Sequence, residues 1–217
     1  MCKENKEMNL QESIRRILRE ETQGIDSFIE TIDSKYNMND KLRQFLIDFI
    51  KNSDCKKIEF ADFKVGVMGL AVHDGVLINN SGLNRGLEFL LFLIFHEVAH
   101  QYQFKKYGED IMYNCYLGDI SEEEAAKFMK HTEEVADDFA SRKIRELQNK
   151  GLIGKSYIPP QMYKNVPINS VKMMVNNYRE MMRRNNITSP EKISEFFYNM
   201  VKRNLLTYKK TYKELKK

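Results

Sequence analysis

Cysteine is scarce in this chain: Cys2, Cys55 and Cys115 are all that 217 residues contain. They form no CxxC pair and leave one over in any pairing scheme, which argues against a disulfide framework and against a cysteine zinc knuckle. A reducing cytoplasm fits such a chain best. Long apolar runs are missing as well. The longest, Phe89 to Phe95, falls far short of the ~20 residues that cross a bilayer and ends in ionisable groups, so no membrane contact is expected. The opening "MCKENKEMNL" is charged and lacks the apolar stretch of a secretory signal, which predicts a protein not exported by that route. There is no GxSxG elbow and no phosphate-binding glycine loop, so serine-hydrolase and nucleotide-hydrolase readings have no support. Internal repeats and low-complexity segments are absent too.

What is present suffices for a folded core. Hydrophobic residues make up 42% of the chain and aromatics 11%, enough apolar surface to offset chain entropy, so one domain, alone or with an appendage, is expected. Charge is divided unevenly. Residues 1–140 carry 17 Lys and Arg against 26 Asp and Glu, whereas residues 141–217 carry 18 against 5. The two parts therefore meet different partners, or each other.

Apolar spacing predicts three short helices between Asn9 and Asn52, punctuated by Gly24 and "NMND". The next segment is rich in β-branched and aromatic residues. It predicts strands near Ile58 to Phe63, Lys64 to Val72 and Val76 to Asn80, the last two joined by a tight turn on Asp74-Gly75. A helix from about Asn84 to Lys106, apolar on nearly every side, has the pattern of a helix buried within a domain, with Gly108 as its stop. Ser121 and Glu124 have capping-box spacing, and open a long helix that runs to Gly151. "GLIGKSYIPPQMYKNVP" is a loop. Two further helices are expected over Ile168 to Asn185 and Pro190 to Lys213. The chain thus divides into an N-terminal helical region (1–55), a central core (56–150) and a basic helical C-terminal region (151–217).

Within the buried helix stands "HEVAH". His96 and His100 are four apart, so they project from one helical face one turn apart, and Glu97 lies roughly 100° round the helix from His96. Two imidazoles placed to bind one ion, with a carboxylate beside them that can act as a general base, is the arrangement of the HExxH zinc motif. Were the histidines merely satisfied core residues, Glu97 would be a carboxylate in an apolar helix without a partner, which is costly. A cation resolves all three groups together.

Zinc needs a third protein ligand. The pattern with a glycine and a third histidine shortly after HExxH is absent, because Gln103 and Lys106 occupy those places. "HTEEVADDFASRKI" offers two registers, Glu133 with Asp137 or Glu134 with Asp138. At about 100° per residue, Glu133 and Asp137 fall in the apolar stripe with Ala126, Met129, Ala136, Ala140, Ile144 and Leu147. Glu134 and Asp138 share the other side with Lys127, His131 and Arg145, an ordinary solvated face. Glu133 is therefore the expected ligand. Asp137, one turn on, is suited to accept the free ring N–H of a metal-bound histidine. Small Ala136 and Ala140 allow the two helices to approach closely.

"HEVAH" followed by "EEVAD" and "DFA" resembles the HExxH…ExxAD pattern of the gluzincin zinc metallopeptidases, and within them the small soluble proteins of the ImmA/IrrE type. The resemblance covers about Lys56 to Asn149, including a sheet segment like "GVLINNSGL" before the HExxH helix. It implies an α+β fold with a zincin-like core: a small sheet, the buried HExxH helix, a second ligand-bearing helix and flanking helices. It further implies one Zn²⁺ on His96, His100 and Glu133, Glu97 as base, and hydrolysis of a peptide bond in a protein or peptide substrate. Gly66 to Val72 is a candidate strand for aligning an extended peptide. The oxyanion-stabilising group is left open among His73, Tyr113, Tyr116 and His131. Cys115, with no base placed for it, reads as a structural cysteine.

The basic end interleaves charge with apolar and aromatic residues. As amphipathic helices these pack on the core; as a basic face they would dock nucleic acid or an acidic protein, mainly through phosphates or carboxylates. Two function classes follow: an intracellular zinc peptidase acting on a limited set of protein targets, or a zincin-fold binding protein that recognises a partner through its basic helices. Intact Glu97 favours the first.

Overall fold

In a computed structural model the described residues are 24–63, 67–72 and 75–189, with positions 192, 193, 195–197 and 199 beyond them. The expected helix nearest the N-terminus and most of the one after Pro190 lie outside this set. The fold is α+β. Helix α1 spans 24–36 and α2 spans Asp40–Lys51, opened by the Asn39 side chain, which accepts from the Leu42 amide at 2.8 Å. Strands β1 (Lys57–Ala61), β2 (Gly69–Val72) and β3 (Gly75–Asn79) follow.

The sheet order is β1-β3-β2, with β3 parallel to β1 and antiparallel to β2. β3 is central and buried at every position, which explains why "GVLIN" shows no polar alternation. Val76 and Ile78 enter the main core, while Leu77 packs with Ala61 on the other face. The hairpin differs from expectation by one residue. Val72 pairs with Gly75, so Gly75 is the first residue of β3 and not part of the turn; His73 and Asp74 lie outside the described residues. β2 is also shorter than the expected Lys64 to Val72.

After a 3-10 turn over Asn80–Asn84, α3 runs from Leu87 to Tyr107. Its residues from Leu90 to Gln101 are all buried, as an apolar pattern on every side demands. Gly108 ends it, and at φ 82° it also opens α4 (Glu109–Leu117). α4 occupies a segment in which no helix is expected from the sequence. Helix α5 spans Glu122–Asn149, and both halves of its capping box are made: Ser121 Oγ accepts from the Glu124 amide at 3.2 Å, and the Ser121 amide donates to Glu124 Oε2 at 3.1 Å. Helix α6 spans Ile168–Arg184.

One hydrophobic cluster joins α1, α2, the sheet, α3 and the C-terminal half of α5, through Ile29, Leu46, Ile78, Phe95, Ile144 and Leu147. Ala136 and Ala140 are fully buried on α5, so its small-residue stripe brings it close against α3. The basic region is packed as well. Val171 and Val175 of α6 meet Ala125, Ala126 and Met129, and Met182 lies with Ile193, Phe197, Val72 and Tyr113. Arg179 donates to the carbonyls of Cys115 and Ile120 at 2.9 and 2.8 Å. No helix among the described residues is long and apolar enough to cross a membrane.

Candidate metal centre

α3 and α5 carry the site. Their close approach brings His96 Nε2 to 3.3 Å from His100 Nε2 and to 3.1 Å from Glu133 Oε2, with His100 Nε2 at 3.7 Å from the same oxygen. Among the described residues these three form a group able to hold a metal ion.

The hydrogen bonds around the histidines decide what the three atoms present to one another. Asp137 Oδ1 lies 3.0 Å from His96 Nδ1; an ionised carboxylate only accepts, so that nitrogen carries the proton. His100 Nδ1 lies 2.8 Å from Gln103 Oε1, and the orientation of that amide is fixed because Gln103 Nε2 donates to the Thr132 carbonyl at 2.8 Å. His100 Nδ1 is therefore a donor too. In neutral rings both Nε2 atoms are then bare lone pairs, facing each other and a carboxylate. Three acceptors at this spacing repel unless something positive stands among them.

The electrostatics carry the same demand. Burial opposes charge on His96, but the Asp137 and Glu133 carboxylates outweigh it and hold the imidazolium up to about 10. His100 is raised for a similar reason, burial being outweighed by Glu133. Burial alone would raise Glu133, yet the two imidazoles hold it well below the usual carboxylate range. Without a cation the site takes up a proton in its place.

The spacing also fits a small ion. Donors roughly 2.0–2.1 Å from a tetrahedral centre stand about 3.3–3.4 Å apart, against the 3.1, 3.3 and 3.7 Å found here. Two nitrogens and one oxygen suit a borderline transition metal better than magnesium or calcium, which take oxygen ligands.

Glu97 is buried on the same helix and turns towards β2. Its carboxylate accepts from the Ala71 amide, and Gly69 makes room for it. Burial pushes its carboxyl up; the two imidazoles and the amide pull the other way without cancelling that. One turn on, Gln101 Nε2 donates to the Val72 and Gly75 carbonyls, both at 2.8 Å. Glu97 and Gln101 thus clamp α3 to the β2–β3 hairpin.

Of the residues singled out by sequence, His96, Glu97, His100, Glu133 and Asp137 come together here. Glu134 pairs with Lys130 at 3.5 Å, and His131 and Asp138 are exposed. Tyr113 and Tyr116 line the cavity beside the site; His73 is outside the described residues. Cys115 is buried, donates to the Met112 carbonyl at 3.1 Å, and has its thiol pushed up to about 12 by burial, so it stays protonated. Nothing in the sequence pattern points to Gln101, Gly69, Tyr163 or Tyr178. Gln103 carries a signal, since it stands three residues after His100 and so shares its helical face.

The cavity over these groups has a volume of about 260 Å³. Leu70, Met129, Met162 and Phe197 contribute apolar wall. Comparison with protein-family models, with curated proteins and with solved structures finds no match to this chain.

Proposed function

We propose that this chain is a zinc-dependent peptidase of the gluzincin type, similar to the small ImmA/IrrE proteins and acting inside the cell on a limited set of protein targets. The observation that carries this reading is the convergence of His96 Nε2, His100 Nε2 and Glu133 Oε2 on one point, next to a buried Glu97 on the same helix as the histidines. His96, His100 and Glu133 would hold the ion, with Asp137 and Gln103 fixing the two rings. A zinc ion held there supplies Lewis acidity, making water acidic near neutral pH and drawing electron density from a carbonyl.

Glu97 takes the proton of the attacking water and hands it to the leaving nitrogen. A buried carboxyl whose pKa is raised is suited to both transfers. β2 is an edge strand beside the site, so an extended peptide can add to it through backbone hydrogen bonds while its side chains enter the apolar cavity. The basic C-terminal region is a secondary candidate for holding an acidic protein or nucleic acid. A zincin fold kept for binding alone would have no use for a base at position 97.

The test combines metal analysis of the purified protein with cleavage of a peptide library. Stoichiometric zinc and turnover that disappears in Glu97→Gln, with zinc retained, is the expected result. Unchanged cleavage by that variant, in a preparation free of other proteases, would rule the mechanism out.

A further inference from the structure

The open edge of the sheet and the Glu97 side chain use the same backbone group. β2 is the last strand in the order β1-β3-β2, so one of its edges is open among the described residues. The Asn79 N–H donates to the Met68 carbonyl at 2.8 Å, one pair beyond the Gly69–Ile78 register. Bonded and non-bonded pairs alternate along an antiparallel ladder. Met68, Leu70 and Val72 therefore turn their backbone groups towards β3, and Gly69 and Ala71 turn theirs outwards. Upstream, the Val67 carbonyl is already taken by Asn79 Nδ2 at 2.6 Å. A peptide laid along this edge thus meets the outward groups of Gly69 and Ala71, both in the cavity wall with His96, His100 and Glu133. The outward N–H of Ala71 is engaged: it donates to the Glu97 carboxylate. The stem of that side chain rests on Gly69, its Cγ 2.6 Å from where a Cβ would stand.

A backbone amide has one proton to donate, so a peptide carbonyl and Glu97 compete for Ala71. We infer that this competition makes the site substrate-gated: an extended peptide adding to β2 takes the Ala71 N–H with its own carbonyl and frees the Glu97 carboxylate to act. The inference deepens the peptidase reading and rests on it. No covalent bond changes in the exchange. One acceptor replaces another at Ala71, and Gly69 keeps the stem of Glu97 seated while its end is released. Relative strengths decide which peptides succeed. A hydrogen bond from an amide to a carboxylate is roughly twice as strong as one to a neutral carbonyl, so a lone peptide carbonyl loses to Glu97. A longer peptide also bonds to Gly69 and buries side chains against Leu70, Met162 and Phe197 in the cavity wall. Together these contacts outweigh the bond that is lost. The substrate class is therefore a chain segment extended over both edge residues, whereas a dipeptide that reaches only the centre leaves Glu97 on Ala71. Targets are limited to proteins that present such a segment.

The experiment follows the Gly69 and Ala71 amides and the Glu97 carboxyl carbon by NMR in zinc-loaded full-length protein. One probe is a blocked hexapeptide of alternating leucine and alanine, its central amide replaced by an uncleavable ketomethylene unit; the other is the blocked dipeptide with the same unit. The hexapeptide is expected to shift all three signals together, and the dipeptide to leave Glu97 unmoved. Ala71→Pro removes the N–H at a position facing away from the ladder, where proline is tolerated. Its free Glu97 signal should already match that of the peptide-bound wild type. With cleavable versions of the two peptides, its preference for the hexapeptide in kcat/KM should fall on the order of tenfold, the worth of one hydrogen bond to a charged group. A hexapeptide that shifts Gly69 but leaves Glu97 unmoved would overturn the gate and leave the peptidase reading standing. Absence of any shift at Gly69 and Ala71 would overturn it as well. If the wild type cleaves neither peptide while the hexapeptide still moves Glu97, the peptidase reading fails and the exchange at Ala71 stands. Should Ala71→Pro not fold, the wild-type titration alone decides.

Discussion

Glu97 and Gly69 are in contact that no other residue at position 69 would permit: a Cβ built there would lie 2.6 Å from the Glu97 carboxyl carbon. The side chain expected to act as base is thus seated on bare backbone of the edge strand. Gly69→Ala should displace Glu97 while leaving the two histidines and Glu133 where they are. The expected outcome is retained zinc, turnover reduced about tenfold or more, and a stability loss of about 1–3 kcal/mol from overpacking. Metal content, kcat and thermal unfolding check it, and full activity in the alanine variant would refute the seating argument.

Glu133 and Glu134 are neighbours with different surroundings. Glu133 faces both Nε2 atoms, whereas Glu134 is half-exposed beside Lys130. Glu133→Gln is expected to weaken zinc binding by at least tenfold in a chelator competition, and Glu134→Gln to leave it near wild type. The reverse order would move the ligand to the other face of α5.

The metal-free protein should show a particular pH profile. His96 is raised from 6.5 to about 10 in the fold, so its contribution to stability is fully present below pH 6.5 and is lost as pH rises towards 10. Glu133 is depressed from 4.5, so its contribution is present above that value and is lost as pH falls below it. With zinc stripped by chelator, Tm should therefore decline on the alkaline side from pH 6.5 upwards. Saturating zinc replaces the proton and should flatten that limb. A chelated protein whose Tm is level between pH 6.5 and 10 would show that His96 holds no extra proton.

Truncation after Gly151 removes Val171, Val175 and Met182, all buried against the rest of the chain. Burying a side chain of this kind is worth roughly 1.5–3 kcal/mol, so the loss exceeds the margin of most domains. The shortened chain is expected to lack a cooperative unfolding transition. A folded, zinc-binding product that loses only salt-sensitive affinity for a partner would instead make the last helices a docking module.

The ligand-bearing helices were legible because their chemistry follows the helical period. Glu133 and Asp137 sit on the face that the apolar stripe of α5 defines, and His96 and His100 share a face because they are four apart. The cavity wall was not. Tyr163 lies in a loop with no period to orient it, and Tyr178 shares its helix with Met and Asn residues that make its direction ambiguous. α4 leaves little trace in the sequence: Gly108 reads as a helix end, whereas at positive φ it links two helices, and nine residues hold too few turns to display a pattern. The hairpin shifted by one because Gly75 begins a strand covered on both faces, where turn chemistry and burial compete for the same residue.

Asp137 has one oxygen on the ring of His96 and the other on the amide of Tyr163. A single carboxylate therefore orients one candidate metal ligand and anchors the loop that lines the cavity. If an ion binds at His96 and a molecule binds in the cavity, Asp137 links the two events, and thermodynamic reciprocity then applies: whatever factor the ion adds to the affinity of that molecule, the molecule adds to the affinity of the ion. A peptide held against Tyr163 would slow the escape of the metal, and a protein emptied of metal would lose its grip on peptide before any bond-breaking step is reached.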